Sequence, residues 1–324
     1  MQPEIDRSIS IKKTNTLFIK INAIDTNYPL ACTHPEALDT VLRFFYKKFK
    51  QIIVGDNTFV FSQNKNIYTY LTNKYKNLKF SNLTEYPTEQ IQFRCIGNVK
   101  VHARVSLLPE TAYTISLALP KTHDFFIYTG SSKNMFGCVI SKRPALHGIN
   151  SFQRLFLGLI HKSTSLRNEN MLKMLSSIRP DLSILDGFIA MEGNGPIDGI
   201  GLKMGVAICG FDTIAVDKLM SNLLNLKKIP YLEHSGERGI GVSDLKEIHV
   251  LKQGFNAFDS ITKTAQPHYL SKHHLNSRET FGIRQPLFDI KYIYQLTKRS
   301  YRIRPKILEF FRSNFSNKKS QSYN

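Results

Sequence analysis

Three consecutive segments near the amino terminus restrict the fold more than anything else in the chain. Thr16–Asn22 (T-L-F-I-K-I-N) is dense in β-formers and reads as a strand. Thr33-His34-Pro35-Glu36 then opens a helix. Thr33 or His34 stands at the cap, Pro35 takes the first turn, where its missing N–H costs nothing, and Glu36 complements the helix dipole. The helix is expected to run to about Lys50 with Ala37, Val41, Leu42 and Phe45 on one face. Gln51–Val54 follows as a short strand, closed by Gly55-Asp56-Asn57. A helical crossover between two strands makes them parallel, so the expectation is an α/β fold. Its sheet would be parallel or mixed and built from βαβ units, as one body or as two lobes around a cleft.

Further strands are expected at Gln90–Arg94, Val99–Val105, Tyr113–Leu119, Phe125–Tyr128, Arg179–Gly187, Gly205–Cys209 and Ile248–Leu251. Helices are expected in the first half of the polar stretch Gln63–Leu83, at Ser151–His161 and Asn168–Ser177, and at Thr213–Leu226 behind an Asp212 cap. After about Gln253 the pattern loosens. The division expected is an α/β domain over residues 1–253 and a basic, aromatic extension over residues 254–324.

Charge and cysteine usage narrow the function classes. No apolar run approaches the roughly 18 residues that span a bilayer, and Met1–Thr16 carries no apolar signal core, so a cytoplasmic location is the expectation. The net charge is +19, from 44 Lys and Arg against 25 Asp and Glu. From Phe281 onward ten basic residues face only Asp289 and Glu309, interleaved with tyrosines and phenylalanines. Such a tail suits a membrane surface, nucleic acid or an acidic protein. Cys32, Cys95, Cys138 and Cys209 stand singly with no C-x-x-C, which excludes a ferredoxin-type iron–sulfur cluster motif.

Two blocks carry candidate chemistry. In Leu119–Gly137, Lys121, His123, Lys133 and Asn134 surround a Thr129-Gly130-Ser131-Ser132 turn. Backbone N–H groups of such a turn can face an anion, lysines add counter-charge, and His123 can carry a proton or hold a metal. His147, in Arg143-Pro144-Ala145-Leu146-His147-Gly148, is a further candidate for this site. The second block is Glu192-Gly193-Asn194-Gly195-Pro196, read as running into a glycine-rich loop at Asp198–Gly201. Its glycines permit positive φ and close backbone approach, and Asp186 and Glu192 could bind a metal or orient the lysines. No Lys-Ser/Thr follows the glycines, so it is not a phosphate-binding P-loop. The expectation is a protein, as an enzyme, that binds an anionic small molecule or cofactor at these turns. The alternative is a non-catalytic binding protein that works through the basic tail.

Several blocks together resemble one family. They are Lys20-Ile21-Asn22, Thr33-His34-Pro35-Glu36, Val54-Gly55-Asp56, Pro120-Lys121-Thr122-His123, Lys133-Asn134-Met135-Phe136-Gly137, Met191-Glu192-Gly193-Asn194-Gly195-Pro196, Ala215-Val216-Asp217 and Glu237-Arg238-Gly239-Ile240-Gly241. On these residues the chain is identified as a member of domain-of-unknown-function family 362, whose members are often labelled iron–sulfur centre proteins. The single cysteines depart from the paired clusters that label implies, so the cofactor stays unassigned. His123, Thr129-Gly130, Lys133 and His147 also resemble the histidine–glycine–lysine pattern of nickel-dependent lactate racemases. That likeness implies a nickel-type cofactor anchored by Lys133, with His123 or His147 acting on nickel or on the substrate proton.

Overall fold

The βαβ unit forms where the sequence places it. In the computed structural model, which describes residues 2–24, 28–56, 67–94, 100–123, 126–140, 164–226, 228–251 and 264–266, it comprises β1 (Thr16–Ile21), α2 (Pro35–Phe45) and β2 (Gln51–Asp56). His34 is the cap: its Nδ1 accepts the Glu36 N–H at 3.3 Å, with Pro35 as the first helical residue. The buried face is Leu38, Val41, Leu42 and Phe45, with Ala37 at its margin, and the helix closes at Phe45, the last residue of that face. β1 and β2 pair in parallel, Phe18 opposite Ile53 and Lys20 opposite Gly55. Ahead of them lies α1 (Gln2–Lys12), which the charged start of the chain did not suggest. It is held by Ile5 and Ile9, one turn apart, packed on the core.

The remaining elements are α3 (Tyr70–Lys74), β3 (Leu78–Asn82), β4 (Thr88–Arg94), β5 (Lys100–Ser106), α4 (Leu108–Thr111), β6 (Tyr113–Ala118), β7 (Lys121–His123) and β8 (Ile127–Thr129). Then come α5 (Ser131–Met135), β9 (Val139–Ile140), α6 (Thr164–Ser177), β10 (Leu182–Asn194), β11 (Asp198–Gly210), α7 (Thr213–Leu223) and α8 (Pro230–Glu237). The main sheet runs β3-β2-β1-β6-β10, all parallel. β10 outlasts β6 and meets β7 with Met191 opposite Lys121, and β7 turns back into antiparallel β8. β11 pairs antiparallel with β10. A small antiparallel sheet, β4-β5-β9, stands apart.

Alternate residues of β1 feed two cores. Leu17, Ile19 and Ile21 pack with Ile5 of α1, the α2 face and Leu71 of α3. Phe18 packs on the opposite side with Met135 of α5, Met171 and Leu175 of α6, Met220 of α7 and Tyr231 of α8. A strand buried on both faces needs a continuous apolar run, which is why Leu17–Ile19 can be apolar without alternation. The chain moves outward from β1 to β2 and β3, then returns to place β6 on the other side of β1. Strand order therefore reverses between β1 and β6. In open α/β sheets the crevice at the carboxyl ends of such strands is where ligands bind.

Two expectations need correction. Asp198–Gly201 is not a loop but the start of β11, paired residue for residue with β10 from Asn194↔Asp198 through Met191↔Gly201. Ile248–Leu251 forms no strand; Leu251 is 79% exposed and no described strand pairs with the segment. The helix expected at Ser151–His161, His147, and the basic tail from Phe281 lie outside the described residues. Beyond residue 253, Ala265 is buried, and its N–H bonds the Leu224 carbonyl at 3.0 Å.

Candidate functional site

A cavity of about 230 Å³ lies at the carboxyl ends of β1, β2 and β6, at the point where strand order reverses. Lys20 and Asn22 border it from the end of β1, Asp56 from the end of β2, Lys121 and His123 from β7, and Lys133 and Asn134 from α5. Three of these groups form a closed polar floor. The Lys20 ammonium donates to Asp56 Oδ1 at 2.7 Å, to the Ile21 carbonyl at 2.6 Å and to Asn134 Oδ1 at 3.2 Å. Asp56 Oδ2 accepts the Ala23 N–H at 2.8 Å. Asn134 Nδ2 donates to the Lys20 carbonyl at 2.8 Å and to Ser116 Oγ at 3.0 Å, tying α5 to both central strands. A Cβ on Gly137 would lie 2.7 Å from Lys20 Nζ, so glycine is what lets the end of α5 approach.

Lys121 differs from Lys20. It is fully buried, and its ammonium reaches two uncharged acceptors, the Ala31 carbonyl at 3.0 Å and Asn22 Oδ1 at 3.4 Å. Burial pushes its pKa down to about 7; Cys32 opposes that shift and the nearby Lys133 charge adds to it. His123 sits two residues along the same strand, on the same face, and is 8% exposed. Its Nδ1 accepts the Phe126 N–H at 3.4 Å, and the two rings meet edge to face at 5.2 Å. Lys133 is half-buried with its ammonium over the rings of Phe126, at 5.2 Å, and Phe136, at 5.5 Å. Among the described residues bordering the cavity Asp56 is the acid, and Lys20 already neutralises it. Lys121 and Lys133 place two further amino groups on its lining.

The turn at Thr129-Gly130-Ser131-Ser132 does meet an anion, but that anion belongs to the chain. The N–H groups of Ser131 and Ser132 donate to the two oxygens of Asp217, on α7, at 2.8 Å each, and the Tyr128 hydroxyl lies 3.3 Å away. Burial raises the Asp217 pKa to about 6 against the lowering effect of these bonds. Asp217 therefore anchors α5, and with it Lys133 and Asn134. Asp212 caps α7 as expected, accepting from Ile214 and Ala215 at 2.8 and 3.1 Å.

The second block forms the tip of the β10–β11 hairpin. Gly193 has φ +74°, and a Cβ on Gly195 would run into the Thr122 carbonyl, so both uses of glycine expected there are present. Glu192 accepts the Gln266 N–H at 2.6 Å, and Gly193 donates to the Gln266 carbonyl at 2.7 Å. Asn194 points to solvent, and Asp186 accepts the Phe188 N–H at 3.2 Å. The structure thus brings Lys121, His123, Lys133 and Asn134 together. Glu192, Gly193, Asn194 and Gly195 do not border the cavity, although Pro196 beside them does.

Lys20, Asn22 and Asp56 entered the sequence reading as parts of family blocks, not as site residues. The signal for Lys20 and Asp56 was a charged residue at the end of each of two buried apolar strands.

Among the described residues no three His, Cys, Asp or Glu side chains converge to hold a metal ion. Burial pushes the Cys138 thiol up to about 12, the opposite of the thiolate an iron–sulfur centre takes, so Cys138 does not suit such a group.

A family model described as a domain of unknown function (DUF362) matches residues 17–222, more than half of the chain. The chain belongs to this family. The DUF362 match runs from β1 into α7 and takes in every residue named above as bordering the cavity. A thylakoid-associated protein of Synechocystis sp. is 33% identical over 112 residues, which cover 35% of this chain. The chain spans 32% of the length of that curated relative. A crystal structure of a Thermotoga maritima protein aligns at 10% identity and a TM-score of 0.36, covering 62% of this chain and 53% of that one.

Proposed function

We propose that this DUF362 protein is an enzyme whose switch-point cavity binds a small anionic molecule or anionic cofactor. The observation that carries the reading is the pairing pattern of the cavity's charges. Asp56 is already bonded to Lys20, whereas the fully buried Lys121 bonds two uncharged acceptors, the Ala31 carbonyl and Asn22 Oδ1. An anion would relieve the repulsion between Lys121 and Lys133 and draw little on Asp56. In this reading Lys133 meets the anionic group and His123 carries a proton to or from the bound molecule. Thermal denaturation with malonate tests it. Malonate should raise the melting temperature of the wild-type chain, and Lys133→Ala and His123→Ala should remove that rise while leaving the ligand-free melting temperature within a few degrees. A wild-type chain indifferent to malonate, phosphate and pyruvate contradicts the reading.

A second reading, attachment to an anionic membrane surface through the basic segment from Phe281, is supported by the net charge of +19 and by the thylakoid-associated name of the Synechocystis relative. Among the described residues no helix is long and apolar enough to cross a membrane. Sedimentation with anionic vesicles should show binding that salt reverses and that a chain ending at residue 280 lacks. Salt-independent binding counts against it.

A further inference from the structure

We propose that Lys121 is an imine-forming lysine, and that the ligand class of the cavity is a small oxo acid with its carbonyl carbon at the Lys121 amine and its carboxylate at Lys133. This rests on the anionic-ligand reading above and narrows it. The cavity holds two buried lysines in opposite settings. Lys20 is bonded to a carboxylate at 2.7 Å. Lys121 reaches only a backbone carbonyl and an amide oxygen, and complete burial there favours the neutral amine, the nucleophilic form. His123 shares the β7 face with Lys121, so a proton carrier stands beside the nucleophile. Lys133 supplies the cation that a carboxylate on the same small molecule would meet. Asn22, half-buried, covers the amine through the longer of its two contacts, and the substrate's carbonyl oxygen takes the place of the Asn22 oxygen.

The step balances without a redox partner. The lone pair of neutral Nζ attacks the carbonyl carbon, a C–N bond forms, and the carbonyl oxygen takes up a proton to give a carbinolamine. The carbinolamine hydroxyl then leaves as water. The two hydrogens of that water come, in net, from the amine, passed through His123, and a carbon–nitrogen double bond remains.

The experiment treats the full chain with pyruvate and sodium cyanoborohydride, then locates any reduced adduct by intact mass and peptide mapping. Thermal denaturation with pyruvate and with malonate is run in parallel. The expected result is a single reduced pyruvyl group on the peptide containing Lys121, suppressed by malonate and absent from Lys121→Met. Mapping of the wild-type chain decides the matter even where that variant fails to fold. Label spread over surface lysines with none on Lys121, or label on Lys133 instead, overturns the proposal. Stabilisation by both anions without label on Lys121 removes the imine and leaves the anion site standing, whereas no stabilisation and no label removes both.

Discussion

Replacing Asp217 with Asn should change how the stability of the protein depends on pH. The Asp217 carboxylate is fully buried and carries the N–H groups of Ser131 and Ser132 at 2.8 Å each. Its pKa rises from 3.8 to about 6, because burial penalises the charged form more than the hydrogen bonds favour it. A folded-state pKa above the unfolded value means that the folded chain holds the proton more tightly. The group's contribution to stability is therefore fully present below about pH 3.8 and is lost as pH rises through about 6. A shift of that size corresponds to roughly 3 kcal/mol across the window. Asparagine does not titrate there. It keeps one acceptor for the two N–H groups and leaves the other unpaired, a pH-independent cost of about 1–3 kcal/mol. Urea denaturation of both proteins at several pH values between about 4 and about 7 gives the difference in unfolding free energy, and subtraction cancels groups common to both. Over that range the wild type should gain roughly 2–2.5 kcal/mol on the variant towards the acid end. A difference that stays flat across the range refutes the buried, raised-pKa carboxylate.

Two other substitutions probe the frame of the site. Lys20→Met should destabilise the fold by about 3–5 kcal/mol in urea denaturation, because Asp56 is left as a buried charge, and adding Asp56→Asn should recover part of that loss; strictly additive losses would contradict the pairing. Gly195→Ala should cost about 1–3 kcal/mol, since the new Cβ meets the Thr122 carbonyl and must push the hairpin tip off β7; a melting temperature equal to wild type would show that the tip does not pack there.

The parts of the fold that were legible in the sequence are those where local chemistry and burial agree. Pro35 at the first helical position, the His34 cap and the apolar face through Phe45 all point to one helix, and it forms. The β10–β11 hairpin was obscured because Gly193, Gly195, Gly199 and Gly201 look like turn residues. They are strand and tip residues: Gly193 holds a positive φ, and Gly195 and Gly199 permit close approach. A Cβ on Gly199 would strike Met191 and the Glu192 carbonyl, contacts that pairing across thirteen-residue strands creates and no local window reveals. The same limit applies to the site. Lys121, His123, Lys133 and Asn134 lie close in sequence and were readable as a cluster. Lys20 and Asp56 stand 36 positions apart and meet only because β1 and β2 pair in parallel and end together. Asp217 was read as a helix residue near its cap, whereas its role is set by a contact with residues 85 and 86 positions away.

The central claim, an anion site between Lys133, His123 and Lys121, is tested most directly by soaking crystals of the full chain in bromide and locating the ions by anomalous scattering. The account predicts a bromide peak inside the cavity, within hydrogen-bonding reach of His123 and Lys133, that disappears in Lys133→Ala crystals. Bromide found only on the protein surface, with none in the cavity of the wild-type chain, would contradict it.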